Sequence, residues 1–143
     1  MNRRVAQHPT DANAYFARHQ AWKRLGYLDL ALADLDASLA LERHFTTHQV
    51  RGDVLRLMHR YREAIQAYND SEEIAPEEWA SGFGPLFRAD CYAHLGDEAA
   101  ALADCDTLPN DHWTPGMYGT PAGNKQEVAD ELRHRAAAAR GER

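Results

Sequence analysis

The chain is poor in the features that would place it in most functional classes. It has only two cysteines, Cys91 and Cys105, among 143 residues. That is too few for a disulfide framework, and a reducing compartment would keep both as thiols. No apolar run approaches the roughly 18 residues that span a bilayer. The opening MNRRVAQHPTDANAYF carries basic residues with no apolar stretch behind them, so neither a membrane anchor nor a secretory signal is expected. There is no basic surplus either: 16 Lys and Arg stand against 22 Asp and Glu, a net charge of −6, with the signs mixed along the chain. Nucleic-acid binding, which calls for a basic stripe, is therefore not expected. No GxxxxGK[ST], GxGxxG after a strand, HExxH or GxSxG occurs, and no segment reads as a convincing strand. These absences lead to the expectation of a cytoplasmic, non-catalytic protein. At 44% hydrophobic and 27% charged, the composition is that of one ordinary globular domain spanning residues 1–143.

What is present is repetition. The segment RYREAIQAYNDSEEIAPEE reads as a helix whose apolar face is thin and largely alanine. Aligned on Ala64, it matches GYLDLALADLDASLALE at Ala31 and GDEAAALADCDTL at Ala101, at spacings of 33 and 37 residues. Four residues beyond each alanine comes a larger core residue: Leu35, Tyr68 and Cys105. Thirteen residues before each alanine stands an arginine, Arg18, Arg51 or Arg88, and four beyond that a large residue, Trp22, Leu55 or Tyr92. Gly52 and Ala89 follow their arginines, whereas His19 breaks that pattern. Gly26 and Gly96 suit left-handed helix caps, with His59 in that place in the middle unit. Pro76 ends the second helix of that unit. Each unit is thus a helix, a tight turn and a second helix, too poor in apolar surface to stand without a neighbouring copy.

Three such units in phase resemble the tetratricopeptide repeat, whose pattern is W-x2-L-G-x2-Y, then A-x3-F, then P, with a period near 34 residues. The resemblance implies an all-α, right-handed α-solenoid of three helix-turn-helix units, over about 12–44, 45–77 and 82–109, plus a C-terminal capping helix. The departures are Arg43 at the first unit's proline place, no matching proline in the third, and about four extra residues near EEWASGFGP. The alternative is an irregular helical bundle. Within the repeats, Arg18 and Arg88 are expected to pair with aspartates of the second helices, at Asp34–Asp36 and Asp104–Asp106. Arg51 is expected to lack such a partner, because Ala67 takes the equivalent place.

The chain changes character at 110–123. PNDHWTPGMYGTPAGN is too rich in proline and glycine for a helix, yet Trp113, Met117 and Tyr118 suggest a loop packing back on the last repeat, or a plug over a groove. Residues 124–140 read as a final helix with Val128, Leu132, Ala136 and Ala139 on one face. At the other end, Thr10 or Asp11 suits an N-cap. Cys91, His94, Cys105 and His112 imitate a zinc set, but their spacing matches no usual pattern, so no metal and no cofactor is expected.

The resemblance also implies a concave face lined by the first helix of each unit, on which an extended peptide or a partner helix binds. In this chain that lining would be Asn13, Phe16 and Gln20, then Gln49, Asp53 and Arg56, then Phe83, Leu86 and Asp90. Aromatic anchors, amides and both signs of charge suit a peptide; the alternative is a plain solvated face. The cationic clamp that some members use for a chaperone's C-terminal carboxylate is absent, its places being Phe16, Gln20, Val50, Phe83 and Phe87. The expected role is an adaptor or scaffold for a protein or peptide partner, in a chain whose short single-domain form looks bacterial. The alternatives are an assembly or secretion-type chaperone holding an apolar segment, or a homo-oligomer built through the open end of the stack.

Overall fold

The computed structural model describes residues 3–7 and 10–142. Its elements are α1 (Arg3–Gln7), α2 (Ala12–Arg24), α3 (Leu28–Leu41), α4 (Phe45–Leu57), α5 (Tyr61–Ile74), α6 (Pro76–Ser81), α7 (Gly84–His94), α8 (Glu98–Asp106), β1 (Trp113–Thr114), β2 (Gly123–Asn124) and α9 (Lys125–Ala139). Helices pack most extensively within the pairs α2/α3, α4/α5 and α7/α8, then between successive pairs through α3 against α4 and α5 against α7. Helix α9 completes the stack by packing on both α7 and α8.

The three within-pair turns, 25–27, 58–60 and 95–97, have one length and one hydrogen-bond scheme. In each, the left-handed residue donates its N–H to a carbonyl three residues back and the next N–H reaches five back, as in Gly26 to Lys23 and Tyr27 to Trp22. This satisfies the last carbonyls of the first helix and reverses the chain. Gly26 and Gly96 sit at φ +82° and +80°, where glycine carries no Cβ penalty. His59 occupies the same place at φ 61°.

Small residues set the helix separations. Ala31, Ala64 and Ala101 are fully buried. At Gly52 a Cβ would lie 2.7 Å from the Tyr68 ring, so the absent side chain is what lets α5 seat that tyrosine against α4. The core falls into two clusters that meet at α7. Phe87 and Cys91 face back toward Leu35, Leu55, Ala67 and Tyr68. Leu86, Ala89 and Ala93 face forward to Leu108, Val128 and Leu132. Helix α7 therefore has no wholly solvated face, and this decides the fate of several residues expected on an open surface.

The extra residues of the third unit form α6, which Pro76 opens at its first turn. Its Trp79 is 2% exposed, packs 5.7 Å from Tyr68, and lies where a side chain at position 84 would otherwise be. The third unit's first helix accordingly begins at Gly84. Asp11 is the cap of α2, accepting from the Asn13 N–H at 2.9 Å. Helix α9 begins with a capping box in which Asn124 and Glu127 satisfy each other's backbone N–H groups. On α9, Val128, Leu132 and Ala136 are buried; Ala139, expected on the same face, is exposed, because the stack below it has ended.

Two of the anticipated ion pairs are bidentate. Arg18 donates to Asp34 at 2.8 and 2.6 Å, and Arg88 to Asp104 at 2.7 Å through both nitrogens. Arg88 also reaches Asn69 and Glu72 and lies over the Trp79 ring, tying the second pair to the third. Arg51, expected to lack the equivalent aspartate because Ala67 takes its place, finds none in its own pair and donates to Asp36 of the preceding pair at 2.6 Å. The lost aspartate at Ala67 is answered from across the junction, at an exposed site where such a pair contributes little.

The segment after Leu108 also departs from expectation. Trp113, expected to pack inward, is 67% exposed. Trp113 and Thr114 pair with Asn124 and Gly123 in a two-residue antiparallel ladder, so the segment is a closed hairpin rather than a strandless loop. The side chains it buries are Thr114, Thr120 and Pro121. The threonines can go inside because their hydroxyls bond within the hairpin: Thr120 donates to the Met117 carbonyl at 2.7 Å, and Thr114 accepts from the Gly116 N–H.

Candidate binding groove

The first helices of the two leading pairs do not close on each other. Between α2 and α4 runs an open groove of about 560 Å³. Phe16, Val50 and Leu57 supply its apolar lining, Gln20 its amide, and Lys23 and Arg24 its charge. Val50 and Leu57 are seven residues apart on α4, two helical turns, so they project on one face. His19 lies buried beneath, its ring against Phe16 edge-on at 4.6 Å and bonded to the Phe16 carbonyl. Burial pushes the His19 imidazole below its ordinary value, against the opposing pull of its bond to the Phe16 carbonyl.

The fourth side of the groove comes from the far end of the chain. The hairpin carries Tyr118 across to α2, where the Lys23 ammonium lies 5.2 Å from the phenol ring's centre. Tyr118 has φ 54° and ψ 36°, an unusual conformation for an aromatic residue, and the residue is 63% exposed. Its main chain explains the geometry. The Tyr118 carbonyl accepts from Arg56 at 2.8 Å, and the Gly119 carbonyl accepts from Arg135 at 2.8 Å.

Those two guanidiniums share one buried carboxylate. Asp90, on α7, is fully enclosed; it accepts from Arg56 of α4 at 2.9 Å and from Arg135 of α9 at 2.7 Å, with His94 at 3.4 Å. Burial alone would raise the Asp90 carboxyl, but His94, Arg135 and Arg56 outweigh it and hold the group below its ordinary value. The cluster thus joins α4, α7, α9 and the hairpin through charge-assisted bonds. Arg56 also lies 5.1 Å from the centre of the Phe87 ring, and its Nε is buried with no partner among the described residues.

The nine residues expected to line one face therefore separate. Phe16 and Gln20 border the open groove. Asn13 is exposed beside a smaller pocket of about 170 Å³ near Ser38 and Thr47. Gln49 is half-buried. Asp53 is half-buried and accepts from the Tyr68 hydroxyl at 2.5 Å, and burial pushes its carboxyl up to about 6. Phe83 is 45% exposed, close to Phe87. Arg56, Leu86 and Asp90 are corrections: all three are buried, the first and last under the hairpin and Leu86 against the α8/α9 side of the core. Lys23, Arg24, Leu57 and Tyr118 line the open groove without having been expected there, and Val50, expected only as a clamp place, lines it as well. The apolar pair at 50 and 57 was visible as an i, i+7 spacing; nothing local marked Tyr118, which is 95 residues from Lys23 in the chain.

The cysteines and histidines do not converge. Cys91 and Cys105 belong to different core clusters, and His94 stacks on Tyr61 with ring centres 4.4 Å apart. Among the described residues no group of three or more His, Cys, Asp or Glu side chains is arranged to hold a metal ion. Burial raises the Cys91 thiol, the reverse of what a nucleophile needs. Among the described residues no helix is long and apolar enough to cross a membrane. Compared with known proteins, the chain matches no family model and no curated relative.

Proposed function

We propose that this chain is a non-catalytic interaction module of the tetratricopeptide type. It holds a segment of a partner protein in the groove between α2 and α4, on a face made concave by the curvature of the stack. The observation that carries the reading is the open groove of about 560 Å³, apolar along Phe16, Val50 and Leu57 and polar at Gln20. Long apolar grooves with a few polar groups suit extended peptides. A rigid frame also favours binding, since the hairpin that walls the groove at Tyr118 is hydrogen-bonded to Arg56 and Arg135 and little order remains to be imposed on association. The groove's apolar lining also fits the chaperone reading, in which the held segment is an unfolded client.

Site-specific photo-crosslinking in the native cell tests this. A photoreactive residue at the exposed Gln20 is expected to capture a partner, while one at exposed Glu73 on α5 is not. Adducts of equal yield at both positions, or none at Gln20, would refute a groove-borne interaction.

A further inference from the structure

The groove's charge is at odds with the protein's. The chain carries 22 acidic residues against 16 basic ones, yet the charged residues lining the groove, Lys23 and Arg24, are both cationic. Neither has an acidic partner within 4 Å among the described residues, whereas Arg18, Arg51, Arg56, Arg88 and Arg135 all do. Asp53, the acid on α4 whose charge Lys23 feels, is turned to the Tyr68 hydroxyl. The groove thus presents two cations outside any ion pair beside an apolar strip, with Asp53 as the acid whose charge reaches Lys23.

We infer that the occupant is an acidic peptide segment in extended form, with an apolar side chain seated between Phe16, Val50 and Leu57 and a carboxylate set against Lys23 and Arg24. The inference rests on the groove being a peptide site, and it adds the partner's chemistry. Tyr118 gives that chemistry its geometry. The bonds from Arg56 and Arg135 to carbonyls 118 and 119 fix the hairpin backbone, so the Tyr118 ring stays beside Lys23 without being buried itself. An exposed, backbone-locked tyrosine beside a lysine supplies contact area at small entropic cost. The arriving carboxylate replaces part of the lysine's hydration with a charge-assisted hydrogen bond, and the ring shields that bond from bulk water.

The test uses the full chain and three short fluorescein-labelled peptides read by anisotropy: alternating Leu and Glu, alternating Leu and Gln, and alternating Leu and Lys. The Leu–Glu peptide is expected to bind about tenfold or more tighter than Leu–Gln, the loss that follows from removing a charge-assisted bond. The Leu–Lys peptide should bind weakest. The advantage of Leu–Glu should shrink with added salt. Lys23→Glu/Arg24→Glu changes one half-buried and one exposed residue outside the core and should reverse the order of the peptides, and both this variant and Tyr118→Ala, which should weaken Leu–Glu binding, should leave the circular dichroism unchanged. If Leu–Gln binds as tightly as Leu–Glu and Phe16→Ala weakens both, the groove takes peptides and the acidic preference is wrong. If no peptide binds, or Phe16→Ala alters none of the affinities, the groove reading falls and the acidic inference with it.

Discussion

Asp90→Asn should be the most damaging isosteric change in this protein. The substitution keeps the shape of the side chain and removes one charge. That charge faces two guanidiniums: Arg56, 6% exposed, and Arg135, whose side chain is 24% exposed and also pairs with Glu131 at 2.9 Å. Arg135 can therefore keep an ion pair and some water, whereas Arg56 has no second ion pair among the described residues. Leaving a buried charge uncompensated costs about 3–5 kcal/mol. Total stability for a domain of this kind is about 5–15 kcal/mol, so between a fifth and all of it is at stake. Urea unfolding followed by circular dichroism at neutral pH measures the loss. Arg56→Met is the control: it removes the buried cation and leaves Asp90 with Arg135 and His94, so it should cost clearly less than Asp90→Asn. Equal losses, or a loss below about 1 kcal/mol for Asp90→Asn, would mean that water or a relaxed Arg56 satisfies the charge, and would refute the account of the cluster as a dry electrostatic joint. Because the Asp90 carboxyl is held below its ordinary value, its contribution is present at neutral pH and disappears as pH falls through that lowered value.

Asp53 should act in the opposite sense. Its carboxyl is raised from 3.8 to about 6, so the fold prefers the neutral acid; that stabilisation is complete at low pH and is lost as pH rises through about 6. Allowing for its partial exposure, the effect is of order 1–2 kcal/mol. Asp53→Asn should flatten the change in urea midpoint between about pH 4 and 6, and an unchanged slope would remove Asp53 as its source. His59→Gly relieves a left-handed, β-substituted residue and should raise stability by about 0.5–1 kcal/mol, less whatever the His59–Tyr61 ring contact at 5.7 Å contributes. Thermal melts decide it, and a lower melting temperature would mean that the ring contact outweighs the strain. Gly52→Ala places a methyl 2.7 Å from the Tyr68 ring and should cost about 1–3 kcal/mol, measured by urea unfolding. The same change in a Tyr68→Leu background should cost much less, and additive losses would show that the contact is not the cause.

The helices and their pairing were legible in the sequence because the physics that makes them is local. A repeat spacing of 33 residues, left-handed caps at Gly26 and Gly96 and alanines at 31, 64 and 101 each act within a turn or against the adjoining helix. The same local reasoning anticipated Arg18 with Asp34 and Arg88 with Asp104, which are 16 residues apart in both units. It missed α6, because the buried Trp79 acts through Gly84 and Tyr68 rather than through helical periodicity.

The candidate site was only half legible, for the same reason. Phe16 and Gln20 were placed on the first-helix face by the register that the tetratricopeptide resemblance implies. Whether Arg56, Leu86 and Asp90 reached solvent depended on what arrived from elsewhere, and α9 and the hairpin arrived on them. Tyr118 and Trp113 show the limit most clearly. Side-chain hydrophobicity favoured burying both, but the hairpin's backbone carbonyls bond Arg56 and Arg135, and that constraint turns Thr114, Thr120 and Pro121 inward and leaves the aromatic rings outside. By itself the sequence determined the paired helices, their turns and the order of their stacking, since these depend on neighbours in the chain. The tertiary structure alone decided which face stays open and what charge it shows, because a buried guanidinium takes whatever acceptor the fold brings within reach, however distant in sequence.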